Sequence, residues 1–116
     1  EQAAALEEIA AANAAYAMSV SVSTLPQSIL SQFGTEAQKQ QFLPPLARGE
    51  MVGAFSLSEA FAGSDASAIR AAARVDRDSY VLSGTKMWCT QADSAGVIIL
   101  MARAPGGITA FAIPAG

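Results

Sequence analysis

The sequence predicts an α+β fold in which helices come first and antiparallel strands follow. Up to Ala47, apolar residues recur every three or four positions, the spacing of one helix face. From Met51 onward the pattern changes to short runs rich in Val, Ile, Tyr and Phe, bounded by clusters of Gly, Pro, Asp and Ser. Because the two patterns are segregated along the chain rather than alternating, they argue for α+β and against a βαβ architecture.

The opening segment, to about Phe33, reads as helix: Leu6, Ile9, Tyr16 and Val20 hold one stripe, with Asn13 in it. Val22, Leu25, Ile29, Leu30 and Phe33 continue the apolar pattern. The Ser-rich stretch at 19–24 and Pro26 predict a break, or a second helix starting near Thr24, since proline is best tolerated in a first turn. Gly34 fits a helix end in left-handed backbone. Thr35 with Gln38 is a capping-box pattern, opening a short helix to about Phe42. One further turn is expected at 44–49. Strands are expected at 51–57, 71–75, 80–82, 86–91, 96–103 and 108–113, with turns at 76–78, 83–85 and 105–107. A boundary near Glu50 divides residues 1–50 from 51–116.

At 116 residues, with 52% hydrophobic and 15% charged, the chain suits one ordinary domain or a segment partly covered by neighbours, though alanine inflates the apolar figure. It opens on Glu1 inside a helical pattern, without a basic leader, and so reads as a piece of a longer protein. The longest strongly apolar run, residues 97–102, is far below the ~20 residues of a membrane helix, so no membrane span is expected. A net charge of −3 with no basic block argues against a nucleic-acid partner. One cysteine and no histidine exclude an internal disulfide, a Ser-His-Asp or Cys-His machine and a structural zinc built from this chain alone; no metal site is expected. Chemistry here must come from a bound cofactor.

Two segments carry it. Phe55-Ser56-Leu57-Ser58-Glu59-Ala60-Phe61-Ala62-Gly63-Ser64-Asp65 is followed by Lys86-Met87-Trp88-Cys89-Thr90. Together they resemble the Y/F-x-L/V-T/S-E-x-x-A-G-S-D loop and K-x-W-I-T strand of the acyl-CoA dehydrogenases, both of which lie against the isoalloxazine ring of FAD. Phe33-Gly34-Thr35-Glu36-Ala37-Gln38-Lys39 with Phe42-Leu43-Pro44, Gly84-Thr85-Lys86-Met87-Trp88 and Thr109-Ala110-Phe111-Ala112-Ile113-Pro114 extend the resemblance over nearly the whole chain. It implies that residues 1–50 end an N-terminal helical domain and residues 51–116 begin a middle β-domain, a partial barrel incomplete without a C-terminal helical domain. It also implies FAD-dependent α,β-dehydrogenation of an acyl-CoA to a trans-2-enoyl-CoA by the parent protein. Electron-transfer flavoprotein is the implied acceptor. A homotetramer or homodimer in the cytoplasm, or in the mitochondrial matrix of a eukaryote, goes with it. The alternatives are a related flavin oxidase or monooxygenase of the acyl-CoA oxidase kind, and a non-catalytic degenerate fragment.

In a strand, Trp88 and Thr90 project from one face, Met87 and Cys89 from the other. The resemblance assigns Trp88 to the flavin ring and the Thr90 hydroxyl to flavin N5, where a hydroxyl can donate to the oxidised ring and accept from the reduced one. It assigns Ser58 to the pyrimidine end, helped by the backbone of Phe55, Ser56 and Leu57, lets Gly63 pass close to a ligand, and gives Ser64 contact with both cofactor and the acyl-CoA thioester tail. Cys89 belongs to the same cofactor-binding stretch, yet alone reads as a small buried hydrophobe. Taken singly, Trp88 and Thr90 also suit an ordinary strand, and Ser64 or Asp65 a turn cap. Glu59 is read as a loop anchor; the resemblance places the α-proton base on a distant C-terminal helix, so no catalytic residue is assigned within this chain. Arg70 and Arg74 read as a solvated face. Ala60-Phe61 and Gln91-Ala92-Asp93 depart from the family's usual Pro-Gly and Asn-Gly-Gly types, which leaves the substrate class open. Phe61 is expected either to narrow the cleft or, preferentially, to fill space against the rest of the protein.

Overall fold

The computed structural model describes residues 1–114. Helices α1 (Gln2–Ala12), α2 (Ala14–Phe33) and α3 (Glu36–Ala47) precede strands β1 (Gly53–Ser56), β2 (Ala72–Asp76), β3 (Ser79–Ser83), β4 (Val97–Ala104) and β5 (Gly107–Pro114), with one 3-10 turn at Ala66–Ala68. The expected α+β order is observed.

The helix break falls at Asn13, upstream of the Ser-rich stretch. Asn13 is extended (φ −158°, ψ 109°), and its Oδ1 accepts from the Ala15 and Tyr16 N–H groups at 2.9 and 3.3 Å, capping α2. Pro26 lies inside α2. The turn before it carries side-chain bonds to backbone, with Thr24 Oγ1 donating to the Ser21 carbonyl at 2.7 Å and Ser23 Oγ 2.8 Å from the Ser19 carbonyl. Pro26 also sets the docking of α2 on β1: a Cβ on Gly53 would stand 2.9 Å from the proline ring, so glycine permits the close approach. Gly34 is extended (φ −68°, ψ 149°), not left-handed. The capping box at Thr35 and Gln38 forms, with reciprocal bonds of 3.3 and 2.9 Å. Helix α3 then continues through Pro44 and Pro45 as one element.

The sheet is mixed where antiparallel strands were expected. β4 pairs with β5 along one edge, antiparallel, from Val97↔Pro114 to Ala104↔Gly107. On its other edge it pairs parallel with β1, from Gly53↔Val97 to Ser56↔Leu100, and with β2 at Ala72↔Arg103. β2 and β3 form an antiparallel hairpin. A parallel pair requires a long crossover. The crossover from β1 to β4 contains the first motif segment from Leu57 onward and the whole of the second.

Alternation on β4 gives the sheet two apolar faces. Val97 and Ile99 pack with Leu30, Phe42 and Leu46 of α2 and α3, while Ala102 packs with Ala71 and Ala73 on the other side. Each large aliphatic chain so buried contributes roughly 1.5–3 kcal/mol. Helices and sheet thus share one core. Among the described residues, no helix is long and apolar enough to cross a membrane.

Candidate functional site

Where the chain leaves β1, it makes a tight turn in which Glu59 and Ala62 exchange backbone bonds of 2.9 and 3.2 Å. Residues 86–87 run beside this turn. The Met87 N–H donates to the Ser58 carbonyl at 2.8 Å, and Lys86 Nζ donates to the Leu57 carbonyl at 2.8 Å. The Glu59 carboxylate, on a side chain 4% exposed, accepts from the Arg70 and Ala71 N–H groups at 2.7 and 2.9 Å and from Lys86 Nζ at 2.8 Å. The Lys86 bond, helped by the two backbone donors and opposed by burial, holds the Glu59 carboxyl down to about 2. The carboxylate is therefore a fixed acceptor. This is the loop anchor read from the sequence.

Beyond this junction lies a cleft of about 160 Å3. Phe55, Leu57 and Ser58 form one wall, Met87, Trp88 and Thr90 another, and Val22 with Leu25 of α2 the third. Phe55 and Leu57 share a wall because side chains two apart in an extended chain share a face. Ser56, between them, is 3% exposed and lies outside the cleft lining. The expected strand at 86–91 does not form. Trp88 (φ 58°) and Gln91 (φ 64°) adopt left-handed backbone, uncommon for residues with a side chain and costly for a bulky one. Trp88 and Thr90 nevertheless reach the same cleft, joined by Met87, which alternation had placed on the opposite face. The Trp88 indole is 83% exposed and Cys89 is half-buried, outside the lining.

Gly63 and Ser64 are not brought to this cleft; both are exposed. Among the described residues a Cβ on Gly63 would meet nothing within 4 Å, so no close approach among them requires glycine there. The neighbouring Asp65 caps the 3-10 turn by accepting from the Ser67 N–H at 3.1 Å. Phe61 is 66% exposed, beneath the Arg70 guanidinium at 4.5 Å from its ring centre, at the rim of a separate cleft of about 270 Å3.

Sequence reading missed the contribution of α2. Val22 and Leu25 stand one helical turn apart, a spacing visible in the sequence, but nothing in it shows which turn meets the loops. Ser23 Oγ, from that same turn, lies 2.8 Å from Gln91 Oε1 and ties α2 to the end of the 86–91 segment.

The donor set suits one edge and face of a planar, partly polar ring system. It offers two hydroxyls, an exposed indole and apolar walls, and among the described residues no charged group lines the cleft. Its volume is below the roughly 300–1,000 Å3 of pockets that enclose a whole ligand. It is a half-site against which a ring can lie.

Residues 54–116 match the family model described as acyl-CoA dehydrogenase, middle domain, and residues 1–50 that of acyl-CoA dehydrogenase, N-terminal domain. The chain is 44% identical to the short-chain specific acyl-CoA dehydrogenase, mitochondrial, of Bos taurus over 95% of its own length and 28% of that protein's. It is similar to butyryl-CoA dehydrogenase from Megasphaera elsdenii, with TM-score 0.81 and 39% identity, covering 86% of this chain and 28% of that one. A glutaryl-CoA dehydrogenase from Mycobacterium smegmatis in complex with FADH2 gives TM-score 0.81 and 37% identity, covering 84% and 26%. The chain thus spans little more than a quarter of each.

Proposed function

Since this chain belongs to the acyl-CoA dehydrogenase family, we propose that its parent protein catalyses FAD-dependent α,β-dehydrogenation of an acyl-CoA to a trans-2-enoyl-CoA. Residues 1–50 then end its N-terminal helical domain and residues 51–116 begin its middle β-domain. The reading rests on one observation above all. Phe55, Leu57, Ser58, Trp88 and Thr90, separated by up to thirty-five positions in sequence, converge on a single cleft.

FAD, when bound, supplies a ring that accepts the β-hydrogen as hydride while a base outside this chain removes the α-proton. The residues here bind and orient. Thr90 offers a hydroxyl to the reacting edge of the ring, and Ser58 offers one to its pyrimidine end. Fixed polar groups of this kind cost no reorganisation during reaction. Trp88 presents an exposed aromatic face, and Phe55, Leu57, Val22 and Leu25 keep water from the ring. The backbone at 55–57 is assigned with Ser58 to the pyrimidine end, Ser64, outside the cleft, to both the cofactor and the thioester tail, and Gly63 and Cys89 to the cofactor. The parent transfers its electrons to electron-transfer flavoprotein, as a homotetramer or homodimer, in the cytoplasm or, in a eukaryote, the mitochondrial matrix.

Anaerobic mixing of the FAD-reconstituted full-length protein with short- and branched-chain acyl-CoAs tests the reading. Bleaching of the flavin with formation of enoyl-CoA is expected, followed by slow reoxidation in air. Rapid reoxidation by oxygen indicates an oxidase instead, and failure to take up FAD indicates a scaffold.

A further inference from the structure

We infer that Glu59 and Lys86 form a positioning pair that joins the two loop walls of the cleft and so fixes the separation of Ser58 from Thr90. The inference rests on the flavin reading above and extends it to residues that do not line the cleft. Three consecutive residues of one loop are tied to two consecutive residues of the other. Lys86 Nζ donates to the Leu57 carbonyl, the Met87 N–H to the Ser58 carbonyl and Lys86 Nζ again to the Glu59 carboxylate, each at 2.8 Å. Ser58 is therefore held on both sides and at its own carbonyl. Thr90 follows four residues after Lys86.

Glu59 is in turn fixed by the Arg70 and Ala71 N–H groups, the entry to β2. The carboxylate and ammonium side chains are 4% and 9% exposed, so water competes little for these bonds. A buried ion pair seldom adds stability beyond what packed apolar groups supply. What it adds here is direction: an ammonium with three donors and a carboxylate with two oxygens can hold loop backbones that make few ladder bonds of their own. Glu59 and Lys86 are thus positioning residues, acting through Ser58 and Thr90.

The test compares full-length wild type with Lys86→Arg and with the double variant Glu59→Gln/Lys86→Met, which leaves no buried charge unpaired. The readouts are FAD dissociation constant, flavin visible spectrum, and amide hydrogen exchange of the FAD-free protein at residues 57–62 and 86–90. With the far-UV circular dichroism retained, the double variant is expected to bind FAD about tenfold more weakly, the size of one lost charge-assisted bond. Its flavin spectrum should shift and exchange should quicken in both segments, while Lys86→Arg recovers part of each. Wild-type affinity and spectrum in the double variant overturn the inference. If wild type itself takes up no FAD, the functional reading fails, and the exchange data still decide: unchanged exchange overturns the positioning role, faster exchange confined to the two segments supports it. If the double variant unfolds, Glu59→Gln alone, which keeps an acceptor for one of the two N–H groups, is read by the same criteria.

Discussion

The Lys86 ammonium stands 2.8 Å from Glu59 Oε1, and this one bond is the largest influence on the carboxylate. With the Arg70 and Ala71 N–H donors assisting and burial opposing, the folded-state pKa of Glu59 falls from 4.5 to about 2. The folded value lies below the unfolded one, so the stabilisation is fully present above about pH 4.5 and is lost as pH falls from there through about 2. Thermal unfolding of the full-length protein across that window should show a falling melting temperature. Glu59→Gln should flatten the fall; a variant curve parallel to wild type contradicts the assignment.

Gly84 sits against the residue to which Glu59 is bonded. At φ 147°, a Cβ there would stand 2.7 Å from Ala71 Cβ and 2.8 Å from Ala71 Cα, backbone that cannot swing away. Gly84→Ala should therefore destabilise by about 1–3 kcal/mol, as overpacking does, in denaturant titration. Unchanged stability contradicts the close approach.

Thr90 is exposed at the mouth of the cleft and contributes little to the core. Thr90→Val keeps its shape and removes the hydroxyl. Stopped-flow reduction of the flavin should slow and the flavin spectrum should shift, with stability within ~0.5 kcal/mol of wild type. A stability defect with an unchanged spectrum contradicts the role.

The chain announced its helices-then-strands order and its capping box because these depend on neighbours in sequence: period, and the Thr35–Gln38 pair. The family resemblance also grouped the loop with the Trp88 segment, and Phe55, Leu57, Ser58, Trp88 and Thr90 line one cleft. What the chain hid is set by tertiary contact. Asn13 looked like part of an apolar stripe and acts as a cap. The parallel pairing of β1 with β4 joins residues over forty positions apart, which no local pattern encodes. Residues 86–91 alternate like a strand, yet the Met87 N–H bonds to the Ser58 carbonyl while the Cys89 and Gln91 carbonyls accept from Ala92 and Ser94, a turn in which Trp88 and Gln91 are left-handed. Gly63 and Ser64 fit a family motif, but motif membership does not fix where an exposed loop tip points.

Phe61 is exposed beneath Arg70 among the described residues, which leaves its ring open to the space-filling role expected against the rest of the protein. An exposed cation–π contact is worth about 0.5–1 kcal/mol. Phe61→Gly in the full-length protein should lower the melting temperature by more than the loss of that contact alone and leave the relative activity among acyl-CoAs unchanged. A changed substrate profile with an unchanged melting temperature contradicts the role and assigns the ring to the second cleft that it edges.

The central claim is that the Ser58, Trp88 and Thr90 cleft receives the flavin ring. Titration of FAD into the FAD-free full-length protein, with Trp88 emission isolated as the difference between wild type and Trp88→Phe, tests it most directly. The account predicts saturable quenching of the Trp88 signal in step with a bound-flavin absorption spectrum, and weaker binding in Ser58→Ala and Thr90→Val. Flavin binding that leaves the Trp88 emission unchanged and is indifferent to both substitutions would place the ring elsewhere and contradict it.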